Sequence, residues 1–266
     1  MFEHDLWIQR SGIAEQTFDI LSRVGDNSRM TPERMPYGSE AGQFFELWHP
    51  EGAVIGFAIF IHGGFWRAKY DLNHANPFCA ALAAQGILTV NLEYRRVGEP
   101  GGGWPGTFED VVAGVKAANE YVGRVPVVVG HSAGGHLALR LASEQIPVKS
   151  LVALAPVADL RLAYELNLSN GAVVEFLGAT PDAEPGLYDD ACASTHTSRV
   201  RRVVVHGAKD EDVPIDIARS FMLVRQNDPE RPSLREIPDA RHMDLIDPES
   251  AAGLSVIDLV ARLARE

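Results

Sequence analysis

The rhythm of apolar and polar positions changes near residue 43. Before it the chain is mixed and polar, with Pro32 and Pro36 spacing out the end. That stretch predicts a short helix near Ile13 to Arg23 and then an extended arm, together residues 1–42. Two strand-like runs follow, Gln43 to Trp48 and Val54 to His62, parted by the turn signal His49-Pro50-Glu51-Gly52. From there strand and helix patterns alternate. An Ala-rich helix over Pro77 to Ala84 stops at Gly86, and Ile87 to Tyr94 reads as a strand. Thr107 to Val122 is the clearest helix, with Phe108, Val111, Val112, Val115 and Val122 on one face and Gly123 ending it. Thr107 and Asp110 match a variant of the capping box.

Val125 to Val129 is a continuous apolar run, the signature of a strand buried on both faces of a parallel sheet. His136 to Glu144 reads as helix. Ser150 to Ala155, Val200 to Val205 and Ser233 to Ile237 read as strands, and Pro248 to Glu266 as an amphipathic helix. The alternation predicts an α/β fold: one domain over 1–266, its mostly parallel sheet flanked by helices on both faces. Residues 157–198 fit no strand–helix unit and are expected to form a partly helical, cap-like insertion over the sheet edge.

Composition narrows the function classes. The 266 residues are 46% hydrophobic and 23% charged, ordinary for a globular chain. Lys+Arg 24 against Asp+Glu 36 leaves a net charge of −12 and no basic stripe, which argues against nucleic acid as partner. Cys79 and Cys192 lack zinc-site spacing and are expected as free thiols in a reducing compartment. The acidic start MFEHDLWIQR has no signal-peptide pattern, and the apolar stretch Gly52 to Ile61 is too short to span a bilayer, so no membrane partner and a cytoplasmic location are expected.

In open α/β sheets, ligands bind beyond the carboxyl ends of the strands. After Val125–Val129 comes Gly130-His131-Ser132-Ala133-Gly134, a G-x-S-x-G between strand and helix. No GK[ST] follows, and Ser132 stands where a dinucleotide fingerprint needs its second glycine. Ser132 is therefore the expected nucleophile. Chain order in such folds runs Ser, then acid, then His. Of nine histidines only His242 lies beyond the last strands, so it is the expected base. Three acids follow the Val200–Val205 strand. The spacing H-G-x-x-D-x-x-V-P favours Asp210, Asp212 is the reserve, and Glu211 is read as solvated; His206 is read as a structural turn residue. Oxyanion donors are expected from the N–H of Ala133 and from His62-Gly63-Gly64-Phe65-Trp66-Arg67, with Gly64 and Phe65 donating and Gly63 making the bend. His62 is read as bracing that loop. Trp66 and Tyr94 are candidate substrate contacts, each with core packing as its alternative. Glu99 to Gly106 is expected to be a mobile loop.

The runs IHGGFWR, GHSAGGHLA, HGAKDEDVP and RHMDLID resemble the α/β-hydrolases, from about Phe44 to the C-terminus. Within that fold the chain is similar to the hormone-sensitive-lipase-like esterases and, more closely, to the arylformamidase (kynurenine formamidase) branch. Where the esterases usually carry HGGG, this chain has Phe65 and then Trp66, the H-G-G-x-W form associated with the formamidase branch. The resemblance implies hydrolysis of a small ester or N-formyl aryl amide without cofactor, with Ser132, Asp210 and His242 as triad, and a homodimer. No histidine cluster or H-E-x-x-H suggests a metal. The alternative from another class is a catalytically silent ligand-binding protein on the same fold.

Overall fold

The computed structural model describes residues 31–266, so the helix expected near Ile13 to Arg23 lies outside the described residues. Eight strands make one sheet: β1 (Glu33–Pro36), β2 (Phe44–Trp48), β3 (Gly56–Ile61), β4 (Ile87–Leu92), β5 (Val127–His131), β6 (Ser150–Leu154), β7 (Arg202–Gly207) and β8 (Ser233–Ile237). Their order is β1-β2-β4-β3-β5-β6-β7-β8. The first two pairings are antiparallel and the rest parallel. The arm of the sequence reading therefore contains a strand. β1 has no apolar alternation to betray it, and it is recruited by pairing with β2, where edge position tolerates Pro36.

Alternate residues of each central strand face opposite layers. Phe57, Ile59 and Ile61 of β3 pack towards α2 (Gly106–Val122) and α3 (Ala133–Arg140). Ala58 and Phe60 pack towards α1 (Asn76–Ala84) and the C-terminal helix (Ala251–Arg265). Buried on both faces, these strands carry no polar side to read, which is why they appear as unbroken apolar runs.

The helix from Gly106 does not start on a capping box. The Thr107 hydroxyl accepts from Gly103 N–H at 3.1 Å and donates to the Arg95 carbonyl at 2.6 Å. Asp110 is drawn off to the Arg95 guanidinium and Gln43. Glu99 to Gly106, expected to be mobile, is instead fastened. Trp104 N–H donates to the Phe176 carbonyl at 2.9 Å, its ring nitrogen donates to Asp190 at 3.1 Å, and Glu99 pairs with Arg96 at 2.9 Å.

Residues 157–198 form α4 (Leu160–Glu165), α5 (Ala172–Leu177) and α6 (Pro185–Ala191). They sit on the loops at the strands' carboxyl ends, not along a sheet edge. Phe176 of α5 stacks on Trp66 at 4.3 Å. Arg67 makes a two-pronged pair with Glu175, at 2.6 and 3.0 Å, and two bonds to Ser169 at 2.8 Å. α7 (Asp216–Val224) and α8 (the C-terminal Ala251–Arg265) complete the helices of the described residues. Among those residues no helix is long and apolar enough to cross a membrane.

Candidate active site

The strand order reverses between β3 and β5. The chain leaves β3 towards β4 on one side and leaves β5 towards β6 on the other. Loops diverge at such a point and leave a crevice. The two loops that flank it are His62–Arg67 and the turn at Ser132.

Ser132 joins β5 to α3 with φ 56 and ψ −118, a conformation costly for a residue bearing a Cβ. Two glycines make the turn possible. A Cβ on Gly134 would collide with the carbonyls of Ile61 and His62, and one on Gly130 with the carbonyl of Gly134. Gly134→Ala is accordingly expected to cost about 3 kcal/mol, the upper end for overpacking. A thermal melt should show a drop of roughly 6–12 °C; an unchanged midpoint would mean that the turn relaxes freely.

Asp210 and His242 come together from the loops after β7 and β8. The two loops are laced by Ala208 N–H to the Ile237 carbonyl at 2.9 Å and Lys209 N–H to the Ala240 carbonyl at 3.0 Å. His242 Nδ1 then lies 2.7 Å from Asp210 Oδ2. The other Asp210 oxygen accepts from the amides of Asp212 at 3.0 Å and Val213 at 2.8 Å. His206 Nε2 stands 3.4 Å from Asp210 Oδ2 and 2.8 Å from the Val213 carbonyl, so it braces the turn, as read from the sequence. Burial alone would raise the Asp210 pKa. The hydrogen bonds from His206 and His242, the His242 charge and the Val213 amide outweigh it and hold the carboxyl well below the usual range. Of the three acids in the loop, Asp210 is the one that reaches the imidazole.

His131 was not singled out by sequence, yet it ties the Ser132 turn to His242. Its ring packs on that of His242 at 4.5 Å, and its Nε2 bonds the His242 carbonyl at 3.1 Å. Burial, then the neighbouring His242, push its pKa well down, so it stays neutral. With Nδ1 turned to Asp210, His242 keeps Nε2 free. The structure records the carboxylate–imidazole bond and no bond from Ser132 to His242 among the described residues. Such bonds are often long in unliganded sites and tighten with substrate.

Phe65 and Trp66 have φ 49 and 57 and Gly64 has φ 109, so the loop after His62 is a run of left-handed residues. A Cβ on Gly63 would press on the Ser132 side chain, which puts this loop against the serine. Among the described residues no carbonyl accepts from the N–H groups of Gly64, Phe65 or Ala133, so all three are free to donate to a ligand. Trp66 and Tyr94, expected as substrate contacts, are fully buried instead. Trp66 lies between Phe176 and His136, and Tyr94 lies behind the loop with its hydroxyl on the His62 carbonyl at 2.8 Å.

Asp210, Asp212 and His242 each offer a ligand atom, all within 4.8 Å of one another. Both Asp210 oxygens and His242 Nδ1 are already hydrogen-bonded, so this set is poorly suited to a cation.

Serine, aspartate and histidine arrive here in the chain order that distinguishes α/β-hydrolases from the trypsin and subtilisin folds. The chain belongs to the alpha/beta hydrolase family, whose model matches residues 58–206, more than half of its length. It is 26% identical over 263 residues to "Esterase LipC" of Mycobacterium tuberculosis, covering 88% of this chain and 65% of that protein. It is 28% identical over 225 residues to "Probable carboxylic ester hydrolase LipM" of the same organism, covering 74% and 51%. The chain thus spans about half to two thirds of the length of these relatives. Esterase B of Lactobacillus rhamnosis, at 18% identity, has the same fold with a TM-score of 0.74 over 94% of this chain and 92% of that one.

Proposed function

We propose that the chain is a serine hydrolase of small carboxylic esters, and that Ser132, His242 and Asp210 are its triad. The observation that carries this reading is the Asp210–His242 pair, 2.7 Å apart on the loops that meet the Ser132 turn. His242 Nε2 takes the Ser132 proton as Oγ attacks the ester carbonyl, and the N–H groups of Gly64, Phe65 and Ala133 receive the oxyanion. The same proton passes to the departing alkoxide. Water, deprotonated by His242, then releases the acid and restores the serine. No cofactor enters any step. The names of the relatives, esterase and carboxylic ester hydrolase, refer to the same bond.

A second reading, an arylformamidase, is favoured by one feature: Phe65-Trp66 stands where an ester hydrolase of this branch usually has a third glycine. One experiment decides between them. kcat/KM is measured for p-nitrophenyl acetate and butyrate beside N-formylkynurenine. Esters turned over at about 10⁴ M⁻¹s⁻¹ or more, with the formyl amide far slower, are expected for the first reading. The reverse order makes the protein a formamidase. If none of the three is turned over and a fluorophosphonate leaves Ser132 unlabelled, the fold serves binding instead.

A further inference from the structure

Behind the loop that carries Gly63, Gly64 and Phe65 lies a buried polar cluster that the mechanism above does not use. His62, fully buried, has both ring nitrogens engaged. Nδ1 lies 2.8 Å from the Gly63 carbonyl oxygen and Nε2 lies 2.8 Å from Glu93 Oε1. A carbonyl oxygen accepts only, so Nδ1 carries a proton. Glu93 is surrounded by donors: the Tyr94 amide on Oε1 at 2.9 Å, the Leu72 amide on Oε2 at 3.1 Å, and Arg96 Nη1 at 3.5 Å. Burial alone would raise its pKa, but His62, Arg96 and the Tyr94 amide outweigh it and lower it. Glu93 is therefore a carboxylate, and Nε2 must carry a proton as well. Tyr94 stacks on one side of the ring at 4.4 Å, and His74 sets its ring edge-on at 5.7 Å.

The consequence runs through one peptide plane. The Gly63 carbonyl and the Gly64 N–H belong to the same trans unit and point in opposite directions. A bond from His62 Nδ1 that holds the carbonyl therefore turns the Gly64 N–H away from the ring. Between two glycines, nothing in the side chains resists rotation of that plane.

We propose that Glu93 is a positioning residue: by keeping His62 a double donor it locks the Gly63–Gly64 peptide with its N–H facing the oxyanion. This rests on the hydrolase reading above. A displaced donor acts on the transition state more than on bound substrate, so the loss falls on kcat.

The test is Glu93→Gln, which has one acceptor oxygen for the two positions and no negative charge to keep both ring protons on His62. In a variant whose melt stays close to wild type, kcat on p-nitrophenyl acetate is expected to fall about 100-fold, with KM nearly unchanged. Wild-type kcat, or a loss carried by KM, overturns the proposal. A second measurement needs no variant: nitrogen-15 NMR of the wild-type protein should show both His62 ring nitrogens protonated, and a ring with one proton overturns it even where Glu93→Gln fails to fold. Ser132→Ala is run alongside. If that variant keeps wild-type turnover, the hydrolase reading fails, whereas the His62 protonation result stands or falls separately.

Discussion

Ser132→Ala is expected to lower kcat roughly 10⁵- to 10⁶-fold while the protein stays folded. The size follows from what is removed. Among the described residues no other hydroxyl is placed both on the strained turn after β5 and against the Gly63 loop. Without it, His242 has no proton to take and no acyl-enzyme forms. What survives is the modest catalysis of the oxyanion donors and of binding, which does not need the serine. The fold is insensitive because the Ser132 contacts that hold the turn are backbone ones: its N–H on the Leu154 carbonyl at 2.8 Å, and its carbonyl accepting from His136 at 3.1 Å and Val157 at 3.3 Å. Alanine keeps all three and adopts φ 56 with the same Cβ strain that serine already carries. The measurement is kcat on p-nitrophenyl acetate with a parallel melt. A folded variant that retains wild-type turnover would falsify the proposed nucleophile.

Where the physics is local, the sequence was readable. β8 falls on Ser233–Ile237 as expected, and the C-terminal helix begins one residue after Ser250, whose hydroxyl accepts from Gly253 N–H at 2.8 Å. G-x-S-x-G was legible because its glycines answer a steric demand of the turn itself. α7 was missed for an equally local reason. Ile217, Ala218 and Phe221 are buried at helical spacing, but the helix is only nine residues long, Asp216–Val224, and no side-chain cap marks its start.

What stayed hidden is pairing across the fold. Glu93 meets His62 from thirty-one residues away, and no spacing announces it. The available signal was an acid at the end of a strand read as buried, a residue that burial makes costly unless something pairs with it. Arg67 and Glu175 are still farther apart, and their bond joins the Ser169 bonds and the Trp66–Phe176 stack in fastening residues 157–198 to the loop after β3. Trp66 was read with both alternatives open. The stack on Phe176, itself in that segment, decides for packing.

Asp210→Asn is expected to lower kcat about 10⁴-fold, and the reason is which proton His242 carries. In the native site one Asp210 oxygen accepts two backbone amides, so an asparagine would place its carbonyl there and turn its NH₂ to His242. An NH₂ donates, so Nδ1 would have to give up its proton and Nε2 take one. The ring would then offer an N–H where Ser132 needs an acceptor. KM should move little, since this carboxylate bonds His242 and the Asp212 and Val213 amides, not a substrate. Acid stability provides an independent check. The carboxyl is held below its ordinary value of 3.8, so it stabilises the fold fully above about pH 4 and less as pH falls beneath that. The asparagine variant lacks this contribution at every pH. Urea midpoints should therefore separate wild type from variant at pH 7, and the gap should narrow as pH falls below about 4, closing only below the depressed native pKa. A gap that stays constant through that range would mean that the His242 and His206 bonds do not favour the charged carboxylate, and the tautomer argument would lose its electrostatic basis.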